Sequence, residues 1–177
     1  MYDPENYQAL IGATIGEIWI SEDRLTFNTD RGFVSYWVDG DCCSHSYFFD
    51  FHGVYHLLTN GPVTAFEAVE LGPGDPGYHV KNVDSYEDIK VYGYRLTTDH
   101  QQFGPVSSVF SFRNSSNGYY GGSMEKAEGG PQASQRLLVR DVLDVEKFLQ
   151  GSTIAGELAS KSVGSGSLAL ESGEVQS

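Results

Sequence analysis

Short runs of alternating apolar and polar residues constrain the fold of this chain more than any other feature. Leu25–Thr29 and Val106–Arg113 both alternate with period two, which places every second side chain on the same face of a β-strand. Thr29–Gly32 is typical of a hairpin, because Asp favours the start of a turn and Gly accepts a positive φ. Most connections between such runs are too short for a parallel crossover, so we expect the strands to pair antiparallel.

The composition agrees with a β-rich body. Aromatic residues make up 13% of the chain and charged residues 20%, which suits a compact sheet protein better than a disordered one. We predict a mainly β protein at the border of the α+β class, an antiparallel meander of seven or eight strands curled or closed into a barrel-like body. A short helical turn is predicted near residues 53–59, and a C-terminal helix near 136–150, where Leu138, Val142 and Val145 share one helical face.

The chain changes character along its length. Residues 72–86 are rich in Gly and Pro, which predicts an exposed loop. Residues 151–177 are rich in Ser and Gly, a composition that favours a flexible tail over packed structure. The predicted organisation is a polar lead-in at 1–9, an antiparallel β domain at 10–125, a linker at 126–135, a helix at 136–150 and a flexible tail at 151–177.

The charge of the chain is strongly negative. The formal net charge is -13, and no Lys or Arg lies between Arg31 and Lys81. A surface built from this interval would repel phosphates, which disfavours nucleic acid and anionic membranes as direct partners, although net charge also serves solubility. Such a surface is suited either to contact a basic partner or to mimic nucleic acid, and we predict a protein partner, a host factor or a virion component. The acids of the interval are Asp39, Asp41, Asp50, Glu67, Glu70 and Asp75.

The sequence shows no targeting signal and no membrane span. The first residues carry no basic segment followed by an apolar run, which is the pattern of a secretory signal. No stretch approaches the roughly 20 apolar residues of a membrane span. With two cysteines in the chain, these features predict reduced thiols in a cytoplasm and no membrane partner.

Cys42 and Cys43 are adjacent, with His45 and His52 nearby. Thiolate and imidazole groups are zinc ligands, but no C-x-x-C pair is present and the spacing matches no established zinc pattern. A Cys nucleophile with a His base is the other chemical option. On a regular strand, Cys43 and His45 would lie about 7 Å apart, too far for a hydrogen bond. We therefore predict no catalytic residue, no metal and no cofactor, and these four residues are the candidates should a metal site exist.

Strand geometry also bears on the two thiols. Adjacent residues of a strand point to opposite faces, so we expect at least one of Cys42 and Cys43 to be buried as a small apolar residue. A disulfide between adjacent cysteines would close a strained eight-membered ring. We therefore predict that the pair forms a structural junction between two strands.

Tyrosines with exposed polar tips suit protein interfaces, since they bury a large area at low entropic cost. Tyr119 and Tyr120 follow a strong turn signal, Asn117-Gly118. Together with the acids of the basic-free interval they make a candidate contact surface. The predicted partner-binding residues are Asp39, Asp41, Asp50, Tyr119 and Tyr120.

Several segments also resemble a known family. The chain carries, in order, Leu10-Ile11-Gly12 with Ile15, Leu25-Thr26-Phe27, Asp41-Cys42-Cys43-Ser44, Leu57-Leu58 with Pro62-Val63, and Ser115-Ser116-Asn117-Gly118-Tyr119-Tyr120. This pattern resembles a small domain family of bacteriophages and bacteria, marked by an Asp-Cys-Cys motif and a late Ser-Asn-Gly-Tyr-Tyr motif. The resemblance covers about residues 8–125. It implies a phage-related origin, with no known activity attached.

These observations predict a non-enzymatic, acidic protein-interaction module, phage-encoded, that binds a host or virion protein. Its predicted location is the host cytoplasm or the virion. One alternative is a structural virion component, such as a decoration or tail protein. The other is a small metal-dependent or cysteine-dependent enzyme centred on Cys42 and Cys43.

Overall fold

The computed structural model describes residues 5–78 and 88–151. Part of the predicted lead-in (1–4), part of the predicted loop (79–87) and nearly all of the predicted tail (152–177) lie outside the described residues. The helices are α1 (Glu5–Gln8), α2 (Val54–Thr59) and α3 (145–151). The strands are β1 (Ile15–Ile20), β2 (Arg24–Thr29), β3 (Gly32–Gly40), β4 (His45–His52), β5 (Val63–Val69), β6 (Asp88–His100), β7 (Gly104–Ser116), β8 (Gly122–Ala127) and β9 (Arg136–Leu137).

The strands form two antiparallel sheets. Sheet A has the order β8-β3-β2-β1-β9, and sheet B has the order β4-β7-β6-β5. The prediction of a mainly β, antiparallel fold is confirmed, as is the short helical turn, which is α2. Both sheets keep open edges, so the body is two packed sheets and does not close into a barrel.

Aromatic side chains join the two sheets into one core. Phe27 of sheet A meets Phe51 of sheet B with ring centroids 6.4 Å apart, and Tyr36 meets Phe66 at 5.8 Å. Burying such a side chain contributes about 1.5–3 kcal/mol. Burial raises the pKa of Tyr36, and its hydroxyl donates to the carbonyl oxygen of Asn6 at 2.7 Å, which holds α1 against the core.

The segment predicted as a linker begins within β8, and its remainder packs on the outer face of sheet A. The hydroxyl of Ser35 donates to the carbonyl of Gly129 at 2.8 Å. The amide nitrogen of Gln135 reaches the carbonyl of Trp19 at 3.0 Å and the hydroxyl of Thr26 at 3.2 Å. These contacts bury Thr26 and Ser35. The two residues point away from the core, and residues 128–135 cover them and provide their hydrogen-bond partners.

The C-terminal helix is present but shorter than the predicted 136–150. It begins at residue 145, where the Asp144 carboxylate accepts the Lys147 amide at 3.1 Å and caps the helix. The chain before it is extended. Leu138 donates its amide to Ile18 at 2.7 Å, and Val142 exchanges two backbone bonds with Phe51. The apolar spacing thus predicts correctly that Leu138, Val142 and Val145 are buried. It does not predict their backbone conformation, because the free edges of β1 and β4 favour extended chain over helix.

Candidate partner-binding site

Two sequence motifs that lie far apart in the chain meet in the structure. β3 pairs with β8 up to Gly40 opposite Gly122. β4 pairs with β7 from His45 opposite Ser115. The β3–β4 and β7–β8 connections therefore lie side by side. We call residues 39–46 and 114–122 together the two-loop platform.

Reciprocal hydrogen bonds lock the two connections together. The Asp41 amide donates to the Gly121 carbonyl at 3.1 Å, and the Gly121 amide donates to Oδ2 of Asp41 at 3.1 Å. The Ser44 hydroxyl lies 2.8 Å from the Asp41 carbonyl and 3.2 Å from that of Gly121. Asp41 was predicted as a partner contact. The structure places its exposed carboxylate in the platform, where Oδ2 accepts the hydrogen bond from Gly121 in the β7–β8 connection.

The side chain of Asn114 joins the two connections of the platform. The sequence alone does not identify this residue. Its side chain is fully buried. Its amide nitrogen lies 3.0 Å from each of three acceptors, the hydroxyls of Ser44 and Ser46 and the carbonyl of Gly121. A Cβ atom on Gly122 would clash with the Ser46 hydroxyl oxygen and lie 3.1 Å from the Asp39 carbonyl oxygen, so this close approach favours glycine. A polar amide inside an otherwise alternating strand run is the signal that could have identified Asn114.

The two cysteines occupy a turn, which corrects the expectation of a buried thiol. The Ser44 amide donates to the Asp41 carbonyl at 3.0 Å, closing a turn with Cys42 and Cys43 at its centre. Both thiols are exposed and their Sγ atoms lie 3.4 Å apart. Strand alternation does not apply, because β3 ends at Gly40. Cys43 has a φ of 67°, a left-handed conformation that costs a non-glycine residue about 1–2 kcal/mol.

The predicted histidine partners face elsewhere. His45 lies 3.2 Å from the Glu22 carboxylate and stacks on Tyr47 with ring centroids 5.2 Å apart. His52 lies 3.9 Å from the Asp50 carboxylate. Within residues 5–78 and 88–151, no three His, Cys, Asp or Glu side chains come together in a way that could hold a metal ion.

Asp50 is not on an exposed acidic surface, contrary to the prediction. A β-bulge between Phe48 and Asp50 turns its side chain onto the outer face of sheet B, where it is fully buried. Its carboxylate accepts a hydrogen bond from the Ser111 hydroxyl and lies 3.7 Å from the Arg113 guanidinium. Burial lowers the pKa of Arg113, and the Asp50 carboxylate opposes that shift. The Gly77 carbonyl, 2.8 Å from the Ser111 hydroxyl, covers the pair.

The outward side of the platform combines an aromatic ring with negative charge. Tyr119 is 89% exposed. Tyr120 is half-buried, and its carbonyl accepts from the Lys90 ammonium at 3.2 Å. Exposed carboxylates at Asp39 and Asp88 flank these residues, since Asp39 adjoins the Cys turn and Asp88 pairs in register with Ser116. The Lys90 ammonium is thus bound by loop carbonyls, while the Asp39 and Asp88 carboxylates face solvent.

A cavity of about 420 Å³ adjoins the platform. It opens between β8 and the β5–β6 hairpin, and its lining includes Tyr7, Tyr94 and Met124. The Gly122 amide lies 3.4 Å from the Tyr92 hydroxyl, and both residues line the cavity. The cavity is therefore connected to the platform and is large enough to accept a side chain of a bound partner.

Comparison with known proteins identifies no relative. No protein-family model matches the chain, and no curated protein or solved structure matches it. In the part of the chain that the structure describes, none of the helices has the length and apolar character to cross a membrane. The resemblance to the phage and bacterial domain family therefore stays a prediction, based on the Asp-Cys-Cys and Ser-Asn-Gly-Tyr-Tyr motifs.

Proposed function

We propose that this chain is an acidic, non-enzymatic protein-interaction module, phage-encoded, that binds a host or virion protein through the two-loop platform. The observation that carries the proposal is the reciprocal bonding of Asp41 and Gly121. It joins two connections into one surface on which Tyr119 stands 89% exposed. The two motifs that support the family resemblance are the two halves of that surface.

Preorganisation of the loop supports a binding role for Tyr119. The Tyr119 amide lies 3.3 Å from the Asn117 side-chain oxygen, and the Gly118 amide donates to the Ser116 hydroxyl at 3.0 Å. A loop fixed in this way loses little conformational entropy on binding. Tyrosine is enriched among the residues that dominate interface energies. A fixed and exposed Tyr119 therefore suits the centre of a contact surface.

The charge of the platform defines the partner chemistry. Asp39 and Asp88 are exposed, and the ammonium of Lys90 is held by two loop carbonyls, at 3.2 and 3.5 Å. This surface complements Lys and Arg side chains of a protein partner. Complementary charges of this kind mainly raise the association rate, and salt weakens the effect.

A site-specific photo-crosslinker in place of Tyr119 tests the proposal. In bacterial cells that express the chain at its natural level, we expect one dominant covalent adduct with a protein. The same crosslinker in place of Phe103, an aromatic residue that is 76% exposed in the β6–β7 turn, is the matched control and should not give this adduct. The double variant D39N/D88N should reduce the adduct several-fold.

Mass spectrometry of the adduct identifies the partner as a host protein or a virion component. Identical adduct patterns at positions 119 and 103 would contradict a specific platform. The same holds if position 119 gives no protein adduct, either in cells or in purified particles. An adduct that is insensitive to the two Asp substitutions would contradict the role of the acidic charge.

A further inference from the structure

We propose that Cys42 and Cys43 form a reversible dithiol–disulfide site that exchanges with low-molecular-weight disulfides. The inference rests on the turn itself and does not depend on the proposed partner binding. It assigns a modification site to the residue pair that strand geometry alone predicts to be a structural junction.

The arrangement of the two thiols supports the exchange. Both side chains are exposed, and their Sγ atoms lie 3.4 Å apart. A disulfide bond measures about 2.0 Å, so the sulfur atoms must approach by about 1.4 Å. The turn is anchored on both sides, by Asp41 bonded to Gly121 and by Ser44 bonded to Asn114. The thiols are thus held near each other in a position open to small reagents.

The backbone provides a second, independent observation. Cys43 is the only non-glycine residue with positive φ in the described part of the chain. Turn positions with positive φ favour Gly or Asn. A β-carbon there is strained, and strain of this kind concentrates at functional sites. The strained position of Cys43 therefore supports a role for its thiol.

The exchange is balanced in atoms and electrons. One cysteine, as thiolate, attacks a sulfur of the small disulfide, forms a mixed disulfide and releases one small thiolate, which takes up a proton. The second cysteine then loses its proton and attacks the protein sulfur of the mixed disulfide. This step forms the Cys42–Cys43 bond and releases the second small thiol. The protein loses two protons and two electrons, and the small disulfide gains them.

Reversibility follows from the ring that forms. A disulfide between adjacent residues closes an eight-membered ring, far from ordinary bridge geometry. Strained and exposed disulfides have higher reduction potentials than structural ones, and they are the labile class. The pair is therefore expected to be oxidised only under oxidising conditions and to return to thiols readily.

Hydroxyethyl disulfide, the uncharged disulfide of 2-mercaptoethanol, is the probe for the full chain, because Asp39 and Asp41 next to the thiols would repel an anionic reagent. We expect intact-mass spectrometry to show a monomer that has lost two hydrogens, with two molecules of 2-mercaptoethanol released. Dithiothreitol should restore the starting mass. The single variants C42S and C43S each change one exposed residue. In each of them the reaction should end at one stable mixed disulfide.

A titration with 2-mercaptoethanol and its disulfide measures the potential, which should exceed that of structural disulfides. A wild-type chain that keeps a stable mixed disulfide would overturn the proposal, because the second thiol would then not reach the first. Formation of disulfide-linked dimers as the main product would overturn it too, as would the absence of any reaction with the probe.

Discussion

Replacing Asp50 with alanine is expected to lower the free energy of unfolding by about 3–5 kcal/mol, because it leaves a buried guanidinium without its countercharge. Asp50 and Arg113 are both buried, with the carboxylate and guanidinium 3.7 Å apart. Arg113 cannot avoid this cost by losing its charge, since arginine keeps its proton in proteins. Urea denaturation followed by tryptophan fluorescence measures the effect.

An exposed ion pair on the same sheet is the matched control. Glu67 lies 3.4 Å from Arg95, and both side chains are roughly half exposed. Replacing Glu67 with alanine should cost less than about 1 kcal/mol, since exposed pairs are screened by water. If the Asp50 and Glu67 variants lost equal stability, the buried pair would not be the anchor of the outer face of sheet B.

Replacing Asn114 with alanine is expected to cost about 2–3 kcal/mol. The change removes the donor shared by Ser44, Ser46 and Gly121, of which the bond to Ser46 is buried and the other two are partly buried. Because Asn114 holds both connections, the same variant should also weaken crosslinking from position 119. The free energy is again measured by urea denaturation.

Asn28 offers the control for an asparagine lost at the surface. Its amide nitrogen bonds the Glu17 carboxylate at 3.1 Å at an exposed position, so the alanine variant should cost less than about 0.5 kcal/mol. An Asn114 variant as stable as the Asn28 variant, with crosslinking from position 119 unchanged, would mean that the platform does not rest on this side chain.

Local sequence patterns predicted the strands because burial on one face imposes period two. Val34, Tyr36 and Val38 of β3 are all buried, as their shared face required. The β2–β3 hairpin closes with Thr29 opposite Gly32, where the turn signal lies. In such places the hydrophobic pattern and the turn chemistry agree, and short-range information is sufficient.

The features that sequence did not predict depend on contacts between distant segments. Arg136–Leu137 becomes β9 because β1 offers a free edge, and no local pattern shows that edge. Asp50 is buried because a bulge turns it towards Arg113. An acidic residue in a basic-free interval of sequence therefore gained its base from a strand more than sixty residues away.

The candidate site was predictable in its parts and not in its assembly. Asp41, Tyr119 and Tyr120 were identified from charge and aromatic character, and the structure places all three on one platform. Their juxtaposition follows from the pairing of β3 with β8 and β4 with β7, which no motif encodes. Asn114 was missed because a buried asparagine acquires its role only from the two loops above it.

Hydrogen exchange of the D41A variant tests most directly that the two motifs form one unit. Loss of the Asp41 carboxylate removes one bond to the Gly121 amide, worth about 1 kcal/mol, so amides in residues 117–122 should exchange about fivefold faster. The D39A variant is the control, because among the described residues the Asp39 carboxylate bonds only the adjacent Gly40 amide, at 2.9 Å, and it should leave 117–122 unchanged. Faster exchange in D41A confined to residues 40–46 would contradict a platform built from both motifs.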